Sequence, residues 1–154
     1  MIHFRKSLFL VMLLITVGAC FGQNPNPEYD SVLARKLGAD ERGMKMYVFV
    51  ILKTGPNNMA AGAERDSLFR GHFSNMNAMA EKGKLVVAGP FDNNEDNYRG
   101  LFILNVKTEE EALQLLQGDP TIKSKIFDIE LYGWYGSAAI SEYLQFDKKL
   151  RKNL

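Results

Sequence analysis

The spacing of apolar and polar positions changes several times along this chain, and each change predicts an element. Leu8 to Val17 is apolar throughout except for Thr16, with Arg5 and Lys6 before it and Gly18 and Ala19 after it. The polar stretch Gln23-Asn24-Pro25-Asn26-Pro27 follows and reads as a linker. Tyr29, Val32, Leu33, Lys36 and Leu37 recur at helical spacing, predicting a short helix over 30–38 that ends near Gly38. Met46 to Leu52 is β-branched and aromatic and is bounded by Thr54-Gly55-Pro56-Asn57, predicting a strand over 45–53. From about Ala60 to Lys82, Phe69, Phe73, Met76 and Ala80 form an apolar helical stripe that Gly83 stops. Leu85 to Ala88 predicts a second strand, ending at Gly89-Pro90, and Asp92 to Asn97 a polar loop. Tyr98 and Arg99 open a third strand, Leu101 to Leu104, continued by Val106. Thr108 and Glu111 make a capping box ahead of a helix ending near Gly118-Asp119-Pro120. Phe127, Ile129 and Leu131 alternate with Asp128, Glu130 and Tyr132, the pattern of a half-exposed fourth strand. Ile140, Tyr143, Leu144 and Leu150 predict a C-terminal helix over 137–154.

The order βαββαβ predicts an α+β, ferredoxin-like fold with an extra N-terminal helix and a C-terminal helical tail. The chain divides into a leader at 1–22, a linker and short helix at 23–45, a core domain at 46–135 and the tail at 136–154. In this topology strands one and three lie at the centre of the sheet. Both are apolar on both faces, whereas a sheet with one wet face alternates. A second copy of the same sheet is the simplest cover, which predicts a homodimer. The terminal segments folding over that face are the alternative.

The basic pair, the apolar run and the small residues stand in the order of a secretory signal peptide. The run is shorter than the roughly 20 residues a membrane span needs. Export to the periplasm or beyond is expected, with cleavage after Gly22. An uncleaved anchor helix, or cleavage after Ala19 with a lipid anchor on Cys20, is the alternative, because Val17-Gly18-Ala19-Cys20 resembles a lipobox. Loss of residues 1–22 removes two of the 19 basic residues and none of the 18 acidic ones, so no bulk charge favours nucleic acid or anionic lipid. Cys20 is the one cysteine of the chain, which excludes an intrachain disulfide. His3 would leave with the leader, and His72 alone cannot build a metal site with cysteine or a second histidine. No glycine-rich phosphate loop and no serine-centred nucleophile elbow occurs. No metal or cofactor is expected.

The candidate chemistry centres on His72. At about 100° per residue it lies about 60° from Phe69, at the edge of the apolar stripe, with Arg65 about 40° from Phe69 on the same side. Both can reach the rim of a cavity between helix and sheet. An imidazole there is usable as a general base or acid, or is simply a boundary histidine. Asp92, at the end of strand two, is placed to orient His72, although Asp92-Asn93-Asn94 is also ordinary turn chemistry. Arg65 is suited to holding a substrate carboxylate in a bidentate pair, or pairs with Glu64 or Asp66 in solvent. Tyr98 and Arg99 are candidates to line the same mouth. Trp134 and Tyr135 read as packing or dimer-contact aromatics.

The chain resembles the YCII-related family of small dimeric α+β-barrel proteins. The resemblance lies in Arg65 to His72, in Lys82-Gly-Lys-Leu-Val-Val-Ala-Gly-Pro90, in Asp119-Pro120 and in Glu130-Leu-Tyr-Gly-Trp134, over about residues 46–135. It implies a ferredoxin-like fold, a dimer, and an active site around a helix-one histidine with a nearby aspartate. It also implies kinship with cofactor-free isomerases and dehalogenases of aromatic-derived substrates. The leader, the N-terminal helix and the tail depart from the compact family form.

Two functions follow as expectations. One is an exported, cofactor-independent isomerase or lyase acting on a small organic acid, with His72 moving the proton, Asp92 orienting it and Arg65 holding the anion. The other is a non-catalytic exported module that binds a small ligand or serves a structural role.

Overall fold

Residues 26–150 and 152 are described by the computed structural model. The leader, its cleavage region and Cys20 lie outside them. Residues 26–30 belong to a separate unit, in which the Tyr29 amide closes a turn onto the Asn26 carbonyl. The main unit, residues 31–154, is built from α1 (Ser31–Leu37), β1 (Met44–Thr54), α2 (Ala63–Glu81), β2 (Leu85–Pro90), β3 (Tyr98–Leu104), α3 (Glu109–Leu116), α4 (Pro120–Lys123), β4 (Phe127–Ser137), a 3-10 segment (Ala138–Tyr143) and α5 (Leu144–Leu150).

The four strands form one antiparallel sheet in the order β2-β3-β1-β4, with β1 and β3 central as the βαββαβ order predicts. This is the ferredoxin-like arrangement. Alternation along β1 sorts its side chains onto two faces. Val48, Val50 and Leu52 join Leu85, Phe102, Leu104 and the helix residues Met79, Ala112 and Leu116 in the main core. Tyr47 turns to the outer face with Val86 and Ile103, where Phe49, Val87, Leu101 and Trp134 pack beside them.

The tail differs from the single helix predicted over 137–154. The chain stays in β4 to Ser137, makes a 3-10 turn and becomes α-helical only at Leu144. The reason is packing. Ile140 lies on the outer-face cluster and the Tyr143 hydroxyl donates to the Val86 carbonyl at 2.5 Å. The tail therefore covers one end of the outer face, while Phe49, Val87 and Leu101 remain partly exposed.

Helix α2 is also rotated from expectation. Its buried residues are His72 and Met79, one turn-pair apart, with Phe69, Met76 and Ala80 beside them, and Phe73 is 56% exposed. His72 thus stands at the centre of the inward stripe and not at its edge. The capping box of α3 forms as expected at Thr108, whose hydroxyl accepts from the Glu111 amide at 3.3 Å. In return, the Glu111 carboxylate accepts from the Lys107 amide at 3.2 Å.

Candidate functional site

Asp119 begins the site, because its sequence neighbourhood dictates its geometry. It caps α4, with Pro120 at the first helical position, where a missing amide proton costs nothing. Oδ1 accepts from the Thr121 amide at 2.9 Å and from the Thr121 hydroxyl at 2.6 Å. Oδ2 is left to meet His72 Nδ1 at 2.5 Å. Both Asp119 and Thr121 are fully buried, and His72 is 5% exposed. Burial is the largest influence on the Asp119 carboxyl and pushes it up. The His72 and Thr121 hydrogen bonds outweigh it and hold the group below the ordinary aspartate range.

Four phenylalanines surround the imidazole. Phe102 stacks on it at 6.1 Å, and Phe69, Phe73 and Phe127 meet it edge-on at 6.2, 5.4 and 5.6 Å. Among the described residues no hydrogen-bond partner is present at Nε2, and no buried side-chain nitrogen or oxygen lacks one. Nε2 therefore reaches open space. That space is a cavity of about 660 Å³ between α2, the ends of β1, β2 and β3, and the 57–59 loop. Such a volume suits a small organic ligand. The loop is held against the α4–β4 turn by Gly55 and Asn57, whose amides donate to the Ile126 and Lys125 carbonyls.

Arg65 and Arg99 both line this cavity, and among the described residues no carboxylate does. Arg65 lies over the Phe69 ring at 5.0 Å, two turns before His72, and among the described residues it makes no ion pair with Glu64 or Asp66. Arg99 reaches the cavity through a β-bulge. The β1–β3 register runs from Leu52 opposite Gly100 to Lys53 opposite Tyr98, leaving Arg99 unpaired. The bulge turns Arg99 to the Thr54 side, where Nε donates to Thr54 Oγ1 at 2.6 Å and Nη1 to Asn93 Oδ1 at 3.4 Å.

The structure brings together three of the five residues singled out from the sequence: His72, Arg65 and Arg99. Asp92 is corrected. It is exposed in the β2–β3 loop, does not line the cavity, and among the described residues makes no hydrogen bond to His72. Asp119 makes that contact instead, because the inward rotation of α2 aims the imidazole at the α4 cap. Tyr98 is corrected as well. The same bulge sends it to the other side, where Phe91 meets its ring at 6.1 Å and Lys53 lies over it at 5.6 Å. Sequence reasoning missed Asp119 and Thr121 as site residues. The signal was Asp119-Pro120, an N-cap followed by proline at the first helical position, which marks a helix start and not only a helix end.

The profile of the YCII-related domain matches residues 46–134, and the chain belongs to that family. Among solved structures, the chain is similar to the 5-chloro-2-hydroxyhydroquinone dehydrochlorinase of Burkholderia phenoliruptrix AC1100, determined in complex with 2,5-dihydroxybenzoquinone. The identity is 19% and the TM-score 0.42, over 56% of this chain and 92% of that one. No curated protein sequence matches the chain.

Proposed function

We propose that this protein is a cofactor-independent enzyme that moves a proton on a small organic acid, with His72 as the base. One observation carries the reading. His72 Nδ1 is held by a buried carboxylate while Nε2 opens into a cavity that is lined by two guanidiniums and, among the described residues, by no acidic side chain. Arg65 and Arg99 hold the anion of the acid by charge-assisted hydrogen bonds. Nε2 takes a proton from a carbon or hydroxyl of the bound acid, and Asp119 balances the imidazolium that forms. In an isomerisation the same proton returns to a different atom of the substrate. In an elimination the leaving group departs with its bonding electrons and the proton passes to solvent. The aromatic walls exclude water and strengthen both charge contacts.

Export and pairing complete the proposal. Arg5-Lys6 followed by Leu8 to Val17 supports a cleaved leader, which mass spectrometry of the mature terminus tests: an intact Met1 contradicts it. Partly exposed Phe49, Val87 and Leu101 support a homodimer through the outer sheet face.

The function is tested by incubating the protein in deuterated water with a panel of small aromatic and lactone acids. The unsubstituted chain should exchange or rearrange at least one of them, and His72→Gln should not. Activity that survives His72→Gln contradicts the assignment. Binding without exchange in the unsubstituted chain identifies a ligand-binding module instead.

A further inference from the structure

We infer that Thr121 is a positioning residue: its hydroxyl locks the Asp119 carboxylate so that His72 keeps its proton on Nδ1 and presents a bare Nε2 to the cavity. The inference deepens the proposed function and rests on its assignment of His72 as the base.

Thr121 is fully buried and bonds to both members of the pair. Its hydroxyl oxygen lies 2.6 Å from Asp119 Oδ1 and 3.3 Å from His72 Nδ1. A hydroxyl has one proton to donate and two lone pairs to accept with. Asp119 is the nearer partner and, as a carboxylate, can only accept, so the proton points there. The lone pairs of Thr121 then face His72. Nδ1 meets two acceptors, Asp119 Oδ2 at 2.5 Å and Thr121 Oγ1 at 3.3 Å. An unprotonated Nδ1 would set lone pair against lone pair at both contacts. The arrangement therefore specifies one neutral tautomer, with the proton on Nδ1.

The same hydroxyl also fixes which carboxylate oxygen serves the histidine. Oδ1 is taken by two Thr121 donors, the amide at 2.9 Å and the hydroxyl. Without the hydroxyl, Oδ1 keeps the amide alone, and the carboxyl group is freer to turn and to take up a proton. Among the described residues, Arg65 and Arg99 are the other charged groups that line the cavity.

The test uses the full chain with Thr121→Val, which keeps the shape and loses the hydroxyl, and Thr121→Ser, which keeps the hydroxyl. Long-range proton–nitrogen NMR reads the tautomer of each imidazole, and His3 is the one other histidine in the chain. The unsubstituted chain and Thr121→Ser should show His72 protonated at Nδ1, and Thr121→Val should show a mixture of tautomers. A Thr121→Val chain that loses thermal stability but keeps the single tautomer overturns the inference, since a purely structural residue behaves that way. If Thr121→Val does not fold, the unsubstituted chain decides. Its Thr121 hydroxyl proton should be protected from solvent exchange and close to Asp119, and a freely exchanging hydroxyl overturns the inference. These readouts need no turnover. A fixed tautomer in a chain that transforms no acid leaves the Thr121 assignment standing and removes the catalytic one.

Discussion

Gly71 and Pro120 touch, and that contact lets His72 reach Asp119. A Cβ placed on Gly71 would come within 2.5 Å of Pro120 Cγ. The hydrogen at this position brings α2 down onto the first residue of α4, directly beside the residues that form the pair.

Gly71→Ala should therefore part the two elements. Alanine favours the helix by up to about 1 kcal/mol, but overpacking costs about 1–3 kcal/mol. The expected result is a net loss of up to about 2 kcal/mol in urea unfolding, with a changed His72 imidazole signal. A stabilised variant with an unchanged signal would contradict the account.

Much of this fold was legible in local pattern. The βαββαβ order of elements correctly placed β1 at the sheet centre, and the Phe127/Ile129/Leu131 alternation correctly oriented β4. The partner of His72 was not legible in the same way. Periodicity ranks residues within one element, and Asp119 lies 47 positions away in the chain. Asp92 looked suitable because it ends a neighbouring strand, yet a strand end says nothing about which loop a helix face meets. Arg99 and Tyr98 were both expected at the mouth. Alternation alone puts consecutive strand residues on opposite faces, and only the bulge decides which of the two enters. The tail is helical as expected, but its 3-10 opening was not legible, because hydroxyl-to-carbonyl docking by Tyr143 on Val86 leaves no mark on apolar spacing.

Acid should act on Asp119 with a definite sign. Its folded carboxyl lies below the ordinary range, which for an unfolded chain is about 3.9. The stability it contributes is fully present above the unfolded value and is lost as pH falls through the folded one. Asp119→Asn should be less stable than the unsubstituted chain at pH 7 by about 1–3 kcal/mol. Its urea midpoint should fall less steeply below about pH 4. Parallel acid limbs for the two proteins would contradict the assignment.

The two cavity arginines should govern affinity and not folding. Arg65→Met or Arg99→Met should weaken binding of an acid found in the panel by about tenfold or more, the worth of one charge-assisted hydrogen bond. Melting temperatures should stay within a degree or two of the parent, as expected for half-buried side chains at the cavity rim. Tyr98→Phe, on the opposite face, should bind the same acid unchanged. Calorimetry separates these outcomes, and equal affinity for all three variants would move the anion site elsewhere.

The uncovered part of the outer face should be a contact between two copies. Light scattering should give about twice the chain mass, the expectation for a closed two-fold assembly. Phe49→Glu, which sets a charge in the middle of the partly exposed patch, should give a monomer. A monomeric unsubstituted protein would mean that the tail and its neighbours suffice to keep the face in water.

Asp119, and not Asp92, holds His72 in its working state. Nitrogen NMR of the His72 imidazole in three chains tests it most directly: unsubstituted, Asp92→Asn and Asp119→Asn. Asp92→Asn should leave both ring-nitrogen shifts and the tautomer unchanged, whereas Asp119→Asn should move them. A response to Asp92→Asn, or none to Asp119→Asn, would contradict it.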